Sequence, residues 1–260
     1  MRSGSARTPS GAVVDGRVED PDAVGVALKQ LLARTEIAET SALVAVSDAV
    51  ATFRVLKVAP AATNAEIDSA VAQALSLDPS RMATRWVEVR RTPETREVYA
   101  TAWDRSLVKK AVEAARLGGL DPVVVDLKSA CVARVASEPS CVVLDTSSEP
   151  MEILLIAGGV PQVWHCLPAD ASLGDDPVRA LAEPLRSVLK FYKRRRDAGF
   201  GPTSPVFIAD EQTLPTQVVA RLSDAIEQPV LALPMPPRIP AGFRYAAYMT
   251  CLGLIMRRTR

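Results

Sequence analysis

The stretch CVVLDTSSEPMEILLIAGGVPQVWHCL, residues 141–167, carries the pattern that decides the fold. Three apolar runs, Cys141–Asp145, Met151–Ala157 and Val160–Leu167, are divided by a polar turn at Thr146–Pro150 and by Gly158-Gly159. Short runs rich in Val, Ile and Leu, bounded by turn residues, read as buried strands. A Gly-Gly pair fits a tight hairpin, so the stretch predicts a three-strand meander. Downstream, a helix starts near Pro177 and turns Val178, Leu181, Leu185, Val188, Leu189 and Tyr192 inward, with Pro184 inside it. A strand at Pro205–Ala209 follows, then a helix marked by Val218, Val219, Leu222 and Ile226. A strand at Val230–Leu233 and a helix over Tyr245–Met256 complete the series. Strands alternating with helices predict an α/β protein.

The N-terminal half shows the same alternation. Asp20-Pro21 begins a helix whose Val24, Leu28, Leu31 and Leu32 share a face. ALVAVS (residues 42–47) and TFRVLKVA (52–59) read as strands. Thr63 and Glu66 form the capping box of a helix carrying Ile67, Val71 and Leu75. Arg85–Arg91 and Glu97–Trp103 are two strands joined at Thr92-Pro93. Asp104 caps a helix that ends at Gly118-Gly119. PVVVDL (122–127) is a strand running into a helix near Ser129–Val135. Residues 1–10 are small and polar, as expected of a flexible arm. A polar link, SEPS at 137–140, marks the expected boundary between two sheet-plus-helix modules.

Composition narrows the function. Of 260 residues, 48% are hydrophobic, enough for a sizeable core. Lys and Arg number 31 against 30 Asp and Glu, a balance that argues against a dedicated nucleic-acid binder. The four cysteines, 131, 141, 166 and 251, form no C-x-x-C pair and are expected to be reduced thiols of a cytoplasmic protein. The apolar run between Arg244 and Arg257 falls short of the roughly 20 residues a membrane-spanning helix needs. No direct membrane span is therefore expected.

Three stretches together resemble the PilM family of type IV pilus assembly proteins, within the actin-like ATPase superfamily. They are GAVVDGRVEDPDAV (11–24) with the ALVAVS strand, then Glu97–Leu127 with its DRSLVKKAVEAARLGGLDPVVVDL run, and then Cys141–Ile156 followed by LRSVLKFYKRRR, PVFIADEQTLP and YAAYMTCLGLIMR. The resemblance implies an actin-like (ribonuclease H-like) fold of two lobes around a cleft. Residues 11–48 and 120–138 would form an incomplete lobe one, 49–119 its inserted subdomain, and 139–260 a reduced lobe two.

Relatives in this superfamily grip nucleotide phosphates with two glycine-bearing hairpins, because only a turn free of bulky side chains aims several N–H groups at one phosphate. The first hairpin is expected ahead of Gly11, where the sequence has none; either the sequence is a fragment or those strands are lost. At the second, Asp145 matches the family aspartate, Ser147 stands at the glycine, and Pro150 offers no N–H. Asp145, Thr146, Ser147 and Ser148 are thus the expected remnant of the phosphate hairpin. Asp210 and Glu211 replace the glycines of the adenosine loop, where two carboxylates disfavour a phosphate. The implied cofactor is none, or weakly bound ATP or ADP with magnesium, and the implied enzyme is a weak or dead ATPase with no catalytic residue and no metal ligand.

Other candidates have plainer readings. Asp145 could orient a magnesium-bound water or simply bond the turn N–H groups. His165, the single histidine, lacks any partner spacing for a triad or metal site. Lys190, Lys193 and Arg194–Arg196 suit a helix C-terminus, or an acidic lipid or partner. The family implies a scaffold, peripheral to the inner membrane, that captures the short cytoplasmic tail of a PilN-like inner-membrane protein beside other pilus or competence-pilus assembly proteins. Val55, Val58 and Ile67 are candidate tail anchors. The alternative is an ATP-binding actin-like ATPase of pilus assembly, type II secretion or cell division.

Overall fold

Asp20 begins the first helix of the computed structural model by accepting a hydrogen bond from the Ala23 N–H at 3.0 Å, with Pro21 in the first turn. The structure describes residues 2–136, 138–148, 150–167, 176–193, 200–209, 214–236, 239–240 and 242–257. The chain divides into two units, Met1–Lys128 and Ser129–Arg260.

In the first unit, Val13–Val14 (β1) and Arg17–Val18 (β2) form a small hairpin across Asp15 and Gly16, both at positive φ. Helix α1 (Pro21–Thr35) lies against α3 (Arg105–Leu117). A Cβ at Gly25 would come within 2.6 Å of Leu117 Cβ, so this close crossing needs glycine. Ser41–Val46 (β3) and Asp121–Leu127 (β7) form a parallel pair. Ala51–Val58 (β4), Met82–Arg91 (β5) and Arg96–Asp104 (β6) form an antiparallel sheet in the order β4-β6-β5.

That sheet is covered on one face by α2 (Asn64–Ala74). The Thr63–Glu66 capping box fixes where α2 begins. Ile67 and Val71 then meet Val98 and Ala100, all fully buried. Val58 also packs into this cluster. Tail anchors must be reachable, so the expectation for Ile67, which is fully buried, gives way to a core role. Val55, Tyr99 and Val87 are in register across the three strands on the other face.

The second unit is one mixed sheet in the order β10-β9-β8-β11-β12. The predicted meander is Ser140–Asp145 (β8), Glu152–Ala157 (β9) and Val160–Cys166 (β10), antiparallel throughout. Gly158 and Gly159 both take positive φ, 63° and 75°, which a two-residue hairpin of this hand requires. Val206–Ala209 (β11) and Val230–Ala232 (β12) add in parallel to β8.

Helices cover both faces, and this explains why the strands read as unbroken apolar runs. Val142, Leu144, Ile153 and Leu155 pack with α5 (Pro177–Lys193) and α6 (Thr216–Ile226). Cys141, Val143, Leu154 and Ile156 pack with α4 (Lys128–Ala136) and α7 (Met249–Ile255). Every inward residue predicted for α5 is buried. The last helix begins at Met249 instead of Tyr245. Residues 245–248 are turns, stapled by the Tyr245 hydroxyl donating to the Leu233 carbonyl. Among the described residues no helix is long and apolar enough to cross a membrane.

Candidate functional site

Asp145 ends β8, where Ala209 of β11 is its parallel neighbour. The residue is 4% exposed. Buried carboxylates need hydrogen bonds, and this one receives them from its own turn. The N–H groups of Ser147 and Ser148 donate to Oδ1 at 3.1 and 3.2 Å. The Ser147 hydroxyl donates to Oδ1 at 2.7 Å, and the Ser148 hydroxyl donates to Oδ2. This is an Asx turn, in which a carboxylate takes the place of an incoming acceptor. The Thr146 N–H donates to the Ala209 carbonyl at 3.3 Å. Thr146 Oγ1 is buried without a hydrogen-bond partner among the described residues.

The structure thus brings Asp145, Ser147 and Ser148 together and turns their donors inward. Three successive backbone N–H groups, at 146, 147 and 148, already have protein acceptors. Pro150 adds none. An anion placed about 4 Å from the Asp145 carboxylate would meet roughly 4 kcal/mol of repulsion per unit charge at an effective dielectric of 20. The turn as it stands is a strand end whose backbone donors at 146, 147 and 148 are satisfied within the protein.

The remaining candidates do not join this site. His165 is exposed on β10. Cys131 and Cys141 are buried. Burial pushes the Cys141 thiol up to about 12, so it keeps its proton at neutral pH and is no nucleophile. Asp210, Glu211 and Arg194–Arg196 lie outside the described residues, as does the Lys193 side chain. Among the described residues no cluster of His, Cys, Asp and Glu has the grouping of a metal site.

Two further surfaces emerge from the tertiary structure. One is the face of the β4-β6-β5 sheet opposite α2, where Val87 is 42% exposed and the Phe53 and Tyr99 rings lie 5.9 Å apart. The other is a pocket at the carboxyl ends of β11 and β12, lined partly by Phe243 and Arg244. Each is assembled from distant segments, so no local motif announces it.

No protein-family model matches the chain, and no curated protein matches it. Solved structures do. A chain of the PilM-PilN type IV pilus biogenesis complex superposes with a TM-score of 0.69 at 20% identity, over 96% of this chain and 89% of that one. The cytoplasmic domain of EpsL, an inner membrane component of the type II secretion system of Vibrio cholerae, superposes with a TM-score of 0.51 at 10% identity, over 90% of this chain and 82% of that one. The chain has the actin-like α/β fold.

Proposed function

We propose that this actin-like chain is a cytoplasmic scaffold of type IV pilus assembly, held at the inner membrane by binding the short cytoplasmic tail of a PilN-like protein, and that it does so without ATP turnover. The observation that carries the reading is the fold match along 96% of the chain to a component of a PilM-PilN complex. The Asp145 turn supports the second half, because its N–H groups are already satisfied internally. A protein that has given up its phosphate grip but kept its body is suited to holding partners.

The tail would lie as an extended segment on the first unit, beside the exposed Val87 of β5 on the sheet face opposite α2. There Val55 and Val87 flank Tyr99 in register. Extended peptides gain backbone hydrogen bonds and a few side-chain anchors, offset by the cost of ordering the tail. Micromolar affinity is the expected scale. Other pilus assembly proteins would dock on the remaining surface.

The test is calorimetric titration with a synthetic peptide of the cytoplasmic tail of a PilN-like single-pass membrane protein. Saturable binding that Val87→Asp weakens at least tenfold supports the scaffold. No binding by the peptide, or by the intact partner in detergent, refutes it. A parallel titration with Mg-ATP addresses the alternative ATPase: micromolar binding abolished by Asp145→Ala would overturn the pseudo-ATPase part. The EpsL likeness favours a second reading, a cytoplasmic component of a type II secretion system. Capture of a secretion partner in place of a pilus partner would select it.

A further inference from the structure

We infer that the tail adds to the first unit as a fourth strand along the outer edge of β5, and that it carries a carboxylate opposite Arg85, two residues from an apolar side chain opposite Val87. The inference rests on the tail-binding reading and states which chemistry that site selects. In the order β4-β6-β5, β5 has a neighbour on one side only. Among the described residues, no backbone group of residues 83–91 bonds outside that ladder. Natural edge strands are blunted by being short, by proline or by a bulge. This edge is ten residues long and free of proline, and its register shift comes only after Glu88, so Met82–Glu88 is a regular template. An extended peptide gains main-chain hydrogen bonds there, and its alternate side chains supply specificity.

The charges of the sheet determine what that specificity is. Glu88 is held by Arg91 and Arg96, Glu97 by Arg90, and Asp104 by Arg81. Every carboxylate of β5 and β6 is thus matched, and Arg85 is left over. It is exposed and makes no hydrogen bond or ion pair among the described residues. Arg85 lies opposite Thr101 and Val87 opposite Tyr99, on the face away from α2, whereas Trp86 between them lies opposite Ala100 and packs toward α2. Arg85 and Val87 therefore share a face, roughly 6.8 Å apart along the strand. A strand laid beside them meets both with residues two apart. Opposite charges directly across a strand pair are favourable and like charges unfavourable, so Arg85 selects an acidic residue and disfavours a basic one. It equally disfavours a second copy paired Arg85 to Arg85.

The test uses the full chain and two acetylated nine-residue peptides of alternating Val and Thr, one with Glu and the other with Lys in place of the central Val. The Glu peptide is expected to compete with the PilN-like tail peptide and to bind roughly fivefold more tightly than the Lys peptide. Arg85→Glu should reverse that order; the position is exposed, so the thermal melt should be unaltered. Amide hydrogen exchange of residues 83–88 should slow in the complex, as strand addition requires. Equal binding of the two peptides, an order that Arg85→Glu leaves as it was, or binding without added protection of the β5 amides overturns the inference. None of these touches the tail-binding reading, since a tail held by Val87 alone requires none of them. A tail peptide that fails to bind the parent chain overturns that reading, and the inference with it.

Discussion

Gly253→Ala is the most direct probe of how the second unit is assembled. Gly253 lies in α7, and a Cβ there would stand 2.0, 2.5 and 2.7 Å from the O, C and Cα atoms of Cys131 in α4. All three are backbone atoms, so no rotamer change can make room. Ordinary contact needs about 3.5 Å, and the helices must part by roughly 1–1.5 Å. Overpacking of this kind costs about 1–3 kcal/mol. The same shift strains the 2.6 Å bond from Arg134 Nη1 to the Gly253 carbonyl, adding about 1–2 kcal/mol. Alanine's better helix propensity returns up to about 1 kcal/mol. Sterics win, with a net loss of about 1–4 kcal/mol. For a chain of this size that lowers Tm by roughly 2–15 °C. Thermal melts by circular dichroism and a urea midpoint would measure it. An equal or higher Tm would refute the α4–α7 contact, since propensity alone predicts a small rise.

Ile67→Ala should cost about 2–5 kcal/mol, because the side chain is fully buried between α2 and its sheet. Its tail affinity in the remaining folded protein should stay within twofold; a selective loss of affinity would return Ile67 to the binding surface. The Ser106 hydroxyl, and then the Arg81 guanidinium, hold the Asp104 carboxyl well below the usual carboxylate range. Its folded pKa is depressed, so its stabilisation is complete above about pH 4 and is lost as pH falls below that. Asp104→Asn should therefore be less stable than the parent at pH 7, with the gap closing toward pH 2 in urea titrations; a pH-independent gap would contradict this. Burial, reinforced by Asp48, raises the Tyr99 hydroxyl above its ordinary pKa. The stabilisation tied to its proton is present below about pH 10 and is lost as pH rises further. Tyr99→Phe should flatten the alkaline loss of stability; an unchanged alkaline limb would count against the burial.

Much of the secondary structure was legible before any fold was known, and for local reasons. The Asp20, Thr63 and Asp104 caps satisfy helix N–H groups with side chains two or three residues away, so they can be read from short spacings. The Gly158-Gly159 hairpin is equally local. The last helix was misjudged at its start because the Tyr245–Leu233 staple spans twelve residues and leaves no local mark. The candidate site was half legible. The residue types at 145–148 showed that glycine was gone, yet only the coordinates show the Asp145 oxygens receiving the Ser147 and Ser148 donors.

By itself the sequence determined most of the helix and strand segments and the two-sided burial of β8, β9 and β11, because periodicity and apolar runs are properties of neighbouring residues. Tertiary structure alone decided the strand order, the close crossing at Gly253, the core role of Ile67 and the pocket beside Arg244. These depend on which distant segments meet, and that follows from packing a whole chain at once.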